Sequence, residues 1–255
     1  MNLLSYGFAP SDPGYDEKDV EKIIMIKNMN KKQAPSDTRS YPMCILGRYN
    51  TFEQLQEKEI QGIDYQIVWQ NGGSGFAIMA HHGGGIEPGT TEIARAVAGA
   101  DHSFYSFMGL KKKGNLDLHI TSRQFDEPTG TGIANNSKTI LTIHGCKKKE
   151  EAVYIGGRDI ILKEKLKESL KNAGFSVMED TRFPGVNPKN ICNRSSLGKG
   201  VQLEITAGLR NAMFKGLMVL NRKGPTMRFY QFVKAVRNAL SEYRRTESKY
   251  ENERL

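Results

Sequence analysis

The spacing of apolar residues changes repeatedly along the chain, and each change marks the boundary of a predicted strand or helix. Alternation at every second residue, or a short apolar run, predicts strands over residues 64–70, 76–80, 103–108, 116–121, 139–143, 175–178 and 201–206. Apolar residues three and four positions apart predict helices over residues 16–29, 52–60, 92–97, 159–173 and 229–243. Because strands alternate with helices, we expect an α/β fold with a largely parallel or mixed sheet.

The first 40 residues differ in composition from the rest of the chain. They contain Pro10, Pro13 and Pro35 together with many charged residues, and we interpret residues 1–40 as an N-terminal extension with one helix. The chain of 255 residues suits one sizeable domain, which we place at residues 41–245. Residues 246–255 are rich in charge and are predicted to form a frayed C-terminal tail.

The chain carries a formal net charge of +9, which predicts attraction to polyanions such as nucleic acids, acidic membrane surfaces and acidic polymers. Lysine runs at residues 111–113 and 147–149 contribute to this charge, although either run alone is better explained as a solvated loop. A basic protein that binds nucleic acid or another polyanion is therefore one alternative. No recognised nucleic-acid-binding motif supports it.

Neither a membrane span nor a secretory signal is predicted. No apolar run approaches the roughly 20 residues of a spanning helix, and the N-terminus lacks a basic region followed by a long apolar one. The three cysteines, Cys44, Cys146 and Cys192, are too widely spaced for a disulfide framework or a cysteine zinc cluster. Cys146 lies two residues after His144, but a small buried residue is a better interpretation than a nucleophile pair.

The strand over residues 76–80 runs directly into the glycine-rich segment His81-His82-Gly83-Gly84-Gly85-Ile86-Glu87. A histidine at the carboxyl end of a buried strand lies where α/β sheets place their sites, and three glycines allow Glu87 to return toward His82. Imidazole nitrogen and carboxylate oxygen are common zinc ligands. By itself the segment also fits a phosphate loop, an esterase oxyanion loop or a structural turn, although no phosphate-loop pattern and no serine elbow accompanies it.

Two further residues lie on predicted strands. His144 follows the apolar strand over residues 139–143, and with His82 and Glu87 it makes the His2Glu set that catalytic zinc sites commonly use. A lone histidine in such a place is more often a hydrogen-bonded core residue. Glu204 lies inside the strand over residues 201–206, where it is either a solvent-facing carboxylate or a general base.

Several polar residues elsewhere are candidates for binding a substrate. Arg194, next to Asn193, and Arg210 could bind a carboxylate through two parallel hydrogen bonds or polarise an amide oxygen. His119 and the Asp126-Glu127 pair could line the site, but a solvated sheet edge is the favoured interpretation.

Five motifs occur in a fixed order along the chain. They are the segment His-Gly-Gly-Gly-Ile-Glu-Pro-Gly-Thr at residues 82–90, then Phe125-Asp126-Glu127-Pro128, Ile143-His144-Gly145-Cys146, Gly200-Val201-Gln202-Leu203-Glu204 and Gly208-Leu209-Arg210. Together they resemble the poly-γ-glutamate hydrolases of phages and Bacillus. The likeness covers about residues 45–240 and leaves the first 40 residues unexplained.

The resemblance implies a zinc-dependent relative of the carboxypeptidase A-type peptidases, with an open mixed sheet flanked by helices and one catalytic zinc ion. It implies His82, Glu87 and His144 as the zinc ligands, with His82 preferred over His81 because it adjoins the glycines. It further implies that Glu204 activates water and that Arg210 belongs to the catalytic group.

The chain departs from ordinary carboxypeptidases in two respects. Its His-x4-Glu spacing is longer than their His-x2-Glu. Asn193 and Arg194 are similar to their carboxylate-binding pair and are predicted to bind substrate, but they follow the last zinc ligand instead of preceding it.

The predicted reaction is hydrolysis of the γ-glutamyl amide bonds of poly-γ-glutamate. Glu204 takes a proton from water acidified by zinc, and an arginine stabilises the oxyanion. A basic chain suits this anionic polymer, in which every residue carries a free carboxylate. The alternative in the same class is a zinc peptidase that cleaves γ-glutamyl bonds of peptidoglycan stems. We expect a monomer that is made in the cytoplasm and acts outside the cell after release, as a phage product would after lysis.

Overall fold

A seven-stranded mixed sheet lies at the centre of the molecule. The structure, a computed structural model, describes residues 47–217 and 224–252, with side chains up to residue 247. The predicted N-terminal extension and its helix therefore lie outside the described residues. The strands are β1 (Tyr65–Gln70), β2 (Phe76–Gly84), β3 (Ser103–Gly109), β4 (Thr139–Cys146), β5 (Ala152–Gly157), β6 (Ser176–Met178) and β7 (Gly200–Thr206).

The sheet has the strand order β1-β3-β2-β4-β7-β5-β6. The pairs β3-β2, β2-β4, β4-β7 and β5-β6 are parallel, whereas β1-β3 and β5-β7 are antiparallel. The prediction of an open, mixed and largely parallel sheet is thus confirmed. Since β2, β4 and β7 are parallel neighbours, their carboxyl ends meet at the same edge of the sheet.

Helices cover both faces of the sheet. They are α1 (Phe52–Gln56), α2 (Thr90–Ala98), α3 (Pro128–Asn135), α4 (Ile160–Asn172), α5 (Ala207–Met213) and α6 (Met227–Asn252), with short 3-10 helices at Asn115–Leu118 and Ile191–Asn193. The larger apolar core packs α2, α4, α5 and α6 on one face, and the smaller packs α1 and α3 on the other. None of the helices described is both long and apolar enough to cross a bilayer.

The core assignment follows the alternation of side chains along each strand. In β4, Leu141 and Ile143 point into the larger core, whereas Ile140 points into the smaller one. In β7, Val201, Leu203 and Ile205 all belong to the larger core. His144 and Glu204 therefore project from the face that carries the smaller core.

The structure corrects several predicted elements. Residues 116–121 do not form a strand, because Gly114 adopts a left-handed conformation (φ 82°) and starts a 3-10 helix. The strand β5 was not predicted, since its apolar run is short and ends in two glycines. Helices α3 and α5 were also not predicted. Helix α6 continues to Asn252 and so includes most of the segment predicted as a frayed tail.

Candidate metal centre

Two of the predicted site residues are direct neighbours in the sheet. His144 on β4 pairs with Glu204 on β7 in the parallel register, so both side chains leave the same face at the same height. His144 is buried and Glu204 is partly buried. The backbone register alone therefore brings an imidazole and a carboxylate together.

A β-bulge at the end of β2 brings two histidines to this face. Ala80 pairs with Ser106 and Gly83 with Met108, so His81 and His82 together oppose the single residue Phe107. Simple alternation would send adjacent side chains to opposite faces. The extra residue cancels that alternation, and the rings of His81 and His82 lie 4.5 Å and 5.0 Å from the ring of His144, centroid to centroid.

The glycine-rich segment returns Glu87 to the histidines. Gly84 has a φ of 61°, a conformation that favours glycine, and the Glu87 N–H donates to the His82 carbonyl at 3.0 Å. At Gly83 a Cβ would lie 2.2 Å from Ser106 Oγ, so no larger residue fits the close packing there. The Glu87 carboxylate accepts a hydrogen bond from the Gly145 N–H at 2.8 Å, which fixes it beside His144.

The ligand atoms of His82, Glu87 and His144 converge. His82 Nδ1 lies 3.2 Å from Glu87 Oε1 and 3.2 Å from His144 Nδ1, and His144 Nδ1 lies 3.5 Å from Glu87 Oε2. A tetrahedral zinc ion with nitrogen and oxygen ligands at about 2.0–2.2 Å holds adjacent ligand atoms about 3.3–3.5 Å apart. The donor set is one that zinc uses, with His82 facing one oxygen of the Glu87 carboxylate and His144 facing the other.

The protonation of His82 also fits a metal ligand. Its Nε2–H donates to the Ile120 carbonyl at 2.7 Å, which leaves the Nδ1 lone pair facing Glu87 and His144. A ligating histidine commonly donates its other ring N–H to a carbonyl in this way. Without a metal ion, a proton on His144 offsets the negative charge of Glu87, and a bound cation would replace that proton.

His119 lies in the same cluster, which corrects the preference for a solvated edge. Its ring lies against the ring of His82, tilted by 30° with centroids 3.8 Å apart, and its Nε2 lies 3.8 Å from Glu87 Oε1. Burial and the proximity of His82 lower the pKa of His119 to about 3, so the ring is uncharged near neutral pH. His82, Glu87 and His119 form one group able to hold a metal ion, and His81, His82 and His144 form another.

His81 has a different neighbour from His82. Its Nε2 lies 3.0 Å from Ser122 Oγ, while its buried Nδ1 has no hydrogen-bond partner among the described residues. Burial and the neighbouring histidines lower its pKa well below the usual value. His82 belongs to both metal-binding groups, whereas His81 belongs to one, which supports the preference for His82.

The acidic and basic groups of the centre perturb one another. Burial and the negative charge of Glu87 raise the pKa of Glu204 to about 7, against the opposing effect of His144 and Arg210. Burial disfavours a charged His144, but Glu204 and Glu87 outweigh it and raise its pKa above the ordinary value. Burial likewise opposes ionisation of Glu87, yet His82 and His144 hold its pKa well below the usual range. A glutamate with a pKa near 7 is suited to proton transfer.

The structure places Arg210 next to the centre, but its guanidinium contacts backbone. Nε donates to the Ile205 carbonyl at 3.1 Å, Nη1 to Pro88 at 2.6 Å and Nη2 to Cys146 at 3.0 Å. The side chain is buried, with 5% of its surface exposed. None of these contacts is with another side chain.

Arg194 and Asn193, predicted to bind substrate, also donate to backbone carbonyls. Arg194 reaches the carbonyls of Lys189, Phe125 and Arg123 at 2.6–2.9 Å. The Asn193 amide donates to the carbonyls of Gly185 and Asn187 at 2.6 Å and 2.9 Å. In this structure both residues join loops to one another, and their substrate-binding role stays a prediction.

The remaining candidates have structural contacts. Glu127 is buried, accepts from the Tyr105 hydroxyl at 2.6 Å and caps helix α3. Asp126 accepts from the Phe52 N–H at 2.6 Å. Burial raises the pKa of the Cys146 thiol, which disfavours the nucleophilic thiolate. Cys146 was expected to be buried and is only partly buried, at the end of β4.

With this geometry established, comparison with known proteins identifies the family. The family model for poly-gamma-glutamate hydrolase matches residues 49–235. The chain is 37% identical to the Bacillus subtilis (strain 168) protein YndL over 193 residues, which cover 74% of this chain and 75% of YndL. It is 35% identical to the SPbeta prophage-derived protein YoqZ of the same strain over 199 residues, covering 76% and 72%.

Two solved structures are similar along most of the domain. The structure of a bacteriophage poly-gamma-glutamate hydrolase superposes with a TM-score of 0.75 at 33% identity, covering 77% of this chain and 98% of that one. Zinc-free YndL superposes with a TM-score of 0.73 at 36% identity, covering 76% and 98%. The fold is shared with a hydrolase. The chain belongs to the poly-gamma-glutamate hydrolase family.

Proposed function

We propose that this protein hydrolyses the γ-glutamyl amide bonds of poly-γ-glutamate with one zinc ion held by His82, Glu87 and His144. The convergence of their ligand atoms beside Glu204 is the observation that carries the proposal. Membership of the hydrolase family supports the reaction, and the description of a YndL structure as zinc-free supports zinc as the metal.

Zinc bound at this centre would supply a Lewis acid that lowers the pKa of water and polarises an amide carbonyl. Glu204 supplies the proton transfer. Its carboxylate accepts a proton from the attacking water as the new C–O bond forms, and it returns that proton to the leaving nitrogen as the C–N bond breaks. A pKa near 7 allows both steps at neutral pH, because neither protonation state of Glu204 is strongly disfavoured.

A cavity with two cationic side chains in its wall supports an anionic substrate. It is lined by Arg123, Gln124, Asn187, Pro188 and Lys189. Arg123 directly follows Ser122, whose Oγ lies 3.0 Å from His81 Nε2, so one part of the wall adjoins in sequence a residue that contacts the histidine cluster. Arg123 and Lys189 are exposed and form no ion pair within the part of the chain that the structure describes. Each glutamyl unit of the polymer offers a carboxylate for such cations.

The test combines metal analysis with a substrate panel. The purified protein should contain about one zinc ion per chain, and it should cleave poly-γ-glutamate until a chelator removes the metal. Added zinc should restore cleavage. Full activity in a metal-free preparation would eliminate the zinc mechanism. Cleavage of γ-glutamyl peptides from peptidoglycan stems, with the polymer left intact, would reassign the substrate within the same class.

A further inference from the structure

We propose that Arg210 is a positioning residue that fixes the carboxyl ends of β4 and β7 and the Glu87 loop relative to one another through their backbone carbonyls. This inference rests on the proposed zinc centre. Each carbonyl that accepts a hydrogen bond from the guanidinium belongs to a residue one or two positions after a residue of that centre in the sequence. Pro88 follows Glu87, Ile205 follows Glu204, and Cys146 lies two residues after His144.

The local fold delivers Arg210 to this place. Thr206 ends β7 and caps α5, accepting from the Leu209 N–H at 3.2 Å, so Arg210 lies one turn into the helix. Its guanidinium then passes against Gly145, where a Cβ would come within 2.6 Å of Cζ. Glycine at position 145 therefore makes room for the guanidinium, and its N–H also fixes Glu87.

The chemistry of the contact favours arginine. The planar guanidinium presents donors in several fixed directions, so one buried group can bind three carbonyls from three segments. A lysine ammonium is a compact point charge on a flexible chain and does not reproduce this fork. The nearby negative charges of Glu87 and Glu204 partly offset the cost of burying the cation.

Arg210 therefore affects metal and substrate through backbone position. The substitution Arg210→Lys should lower the zinc affinity of the folded protein about 10- to 100-fold, as loss of outer partners of a metal site typically does. The kcat for poly-γ-glutamate should fall, whereas KM should stay within about twofold because no substrate contact is removed.

Arg194→Lys is a matched control, because Arg194 also donates to three backbone carbonyls but none of them adjoins His82, Glu87, His144 or Glu204. Zinc affinity would be measured by competition with a chromophoric chelator, and the Tm of each metal-free variant would be recorded. Both variants should lose some thermal stability, but Arg210→Lys alone should lose zinc affinity.

Gly145→Ala supplies a second test should Arg210→Lys fail to fold. Its new methyl group would displace the flexible end of Arg210 without changing the arginine itself, so it should lower zinc affinity in the same direction. Equal zinc affinity in wild type, Arg210→Lys and Gly145→Ala would overturn the inference. A raised KM with unchanged zinc affinity would instead make Arg210 a substrate contact. If the wild type itself binds no zinc, it is the proposed function that fails.

Discussion

The metal centre has a strand half, formed by His82, His144 and Glu204, and a loop half, formed by Glu87 and His119. Different contacts hold the two halves in place. His82, His144 and Glu204 belong to neighbouring strands, where the sheet ladder pairs His144 with Glu204 and the bulge at the end of β2 sets the position of His82. Glu87 and His119 lie on irregular segments between elements. Hydrogen bonds from distant parts of the chain hold those segments, so the loop half depends on contacts that no local pattern determines.

The segment that carries His119 shows how many such contacts are needed. The Arg48 N–H donates to the Asp117 carbonyl at 3.0 Å, and His82 Nε2 donates to Ile120 at 2.7 Å. Further along, the Ile191 N–H donates to the Ser122 carbonyl at 2.9 Å. Each bond joins residues far apart in the sequence. The comparison shows that side chains on the strands have little freedom to move, whereas the position of a side chain on a loop can be changed by substitutions far from the centre.

The largest expected effect comes from the strand half. Glu204→Gln keeps the shape of the side chain but cannot accept the water proton, so kcat on poly-γ-glutamate should fall about 10²–10⁴-fold. Since Glu204 is not in the proposed ligand set, bound zinc should remain near that of the wild type. Single-turnover rates and metal content would be measured together. Turnover within threefold of the wild type would exclude Glu204 as the base, and loss of zinc would indicate that it is a ligand.

The second-largest effect is expected in the pH dependence of zinc affinity, which should distinguish His144, in the strand half, from His119, in the loop half. Glu204 and Glu87 raise the pKa of His144, and zinc must displace any proton on that ring. Affinity should therefore fall about tenfold for each pH unit below the pKa of His144. His119, with a pKa lowered to about 3, is already neutral and should add no step near neutrality. Competition titrations from about pH 5.5 to 8.5 should give matching slopes for wild type and His119→Phe; a flat profile would contradict the assignment.

Substitution of His119 should have a smaller effect on zinc affinity. His119→Ala removes both the ring that lies against His82 and the nitrogen near Glu87, and we expect about a tenfold loss of affinity. His119→Phe keeps a ring against His82 and removes only the nitrogen, so the pair of variants separates packing from polarity. If both variants bind zinc as the wild type does, the loop half contributes nothing to metal binding.

The smallest effect should come from the cationic cavity. The double substitution Arg123→Gln with Lys189→Gln should raise KM for poly-γ-glutamate about threefold at low salt, and the difference should shrink as salt screens the charges. Lys234→Gln is the control, because it removes an exposed lysine from helix α6, on the opposite face of the sheet. An equal change in the control would show that only net charge matters.

The same division explains what the sequence could predict. An apolar run followed by histidine, and a carboxylate within an apolar strand, are local signals, so His82, His144 and Glu204 could be proposed from their neighbours alone. A largely parallel sheet also follows from alternating strands and helices, whereas the strand order that places β2, β4 and β7 side by side is seen only in the structure. Glu87 was found because three glycines connect it to His82.

Other residues gave no such signal. His119 was predicted on a strand, but Gly114 starts a 3-10 helix there, and the remote Arg48 N–H donates to the Asp117 carbonyl within it. Arg194 and Arg210 were expected to face substrate, but a sequence does not reveal which backbone carbonyls are left without partners at loop junctions. Both guanidinium groups bind such carbonyls. The strand β5 was missed because its partner β7 stabilises a short run that ends in Gly156 and Gly157.

Because of the bulge on β2, the number of residues between this strand and the glycines determines where the histidine of the motif lies. Two histidines oppose Phe107, and only the second reaches the proposed ligand position. Deleting either one restores ordinary pairing and leaves the survivor in the place of His81. The chain would still read His-Gly-Gly-Gly, yet its histidine would lie where His81 lies, with Nε2 beside Ser122, and not where His82 Nδ1 faces Glu87. A homologue aligned at this motif should therefore be compared by whether an extra residue precedes its glycines, since the same four letters can place the histidine in either of two positions.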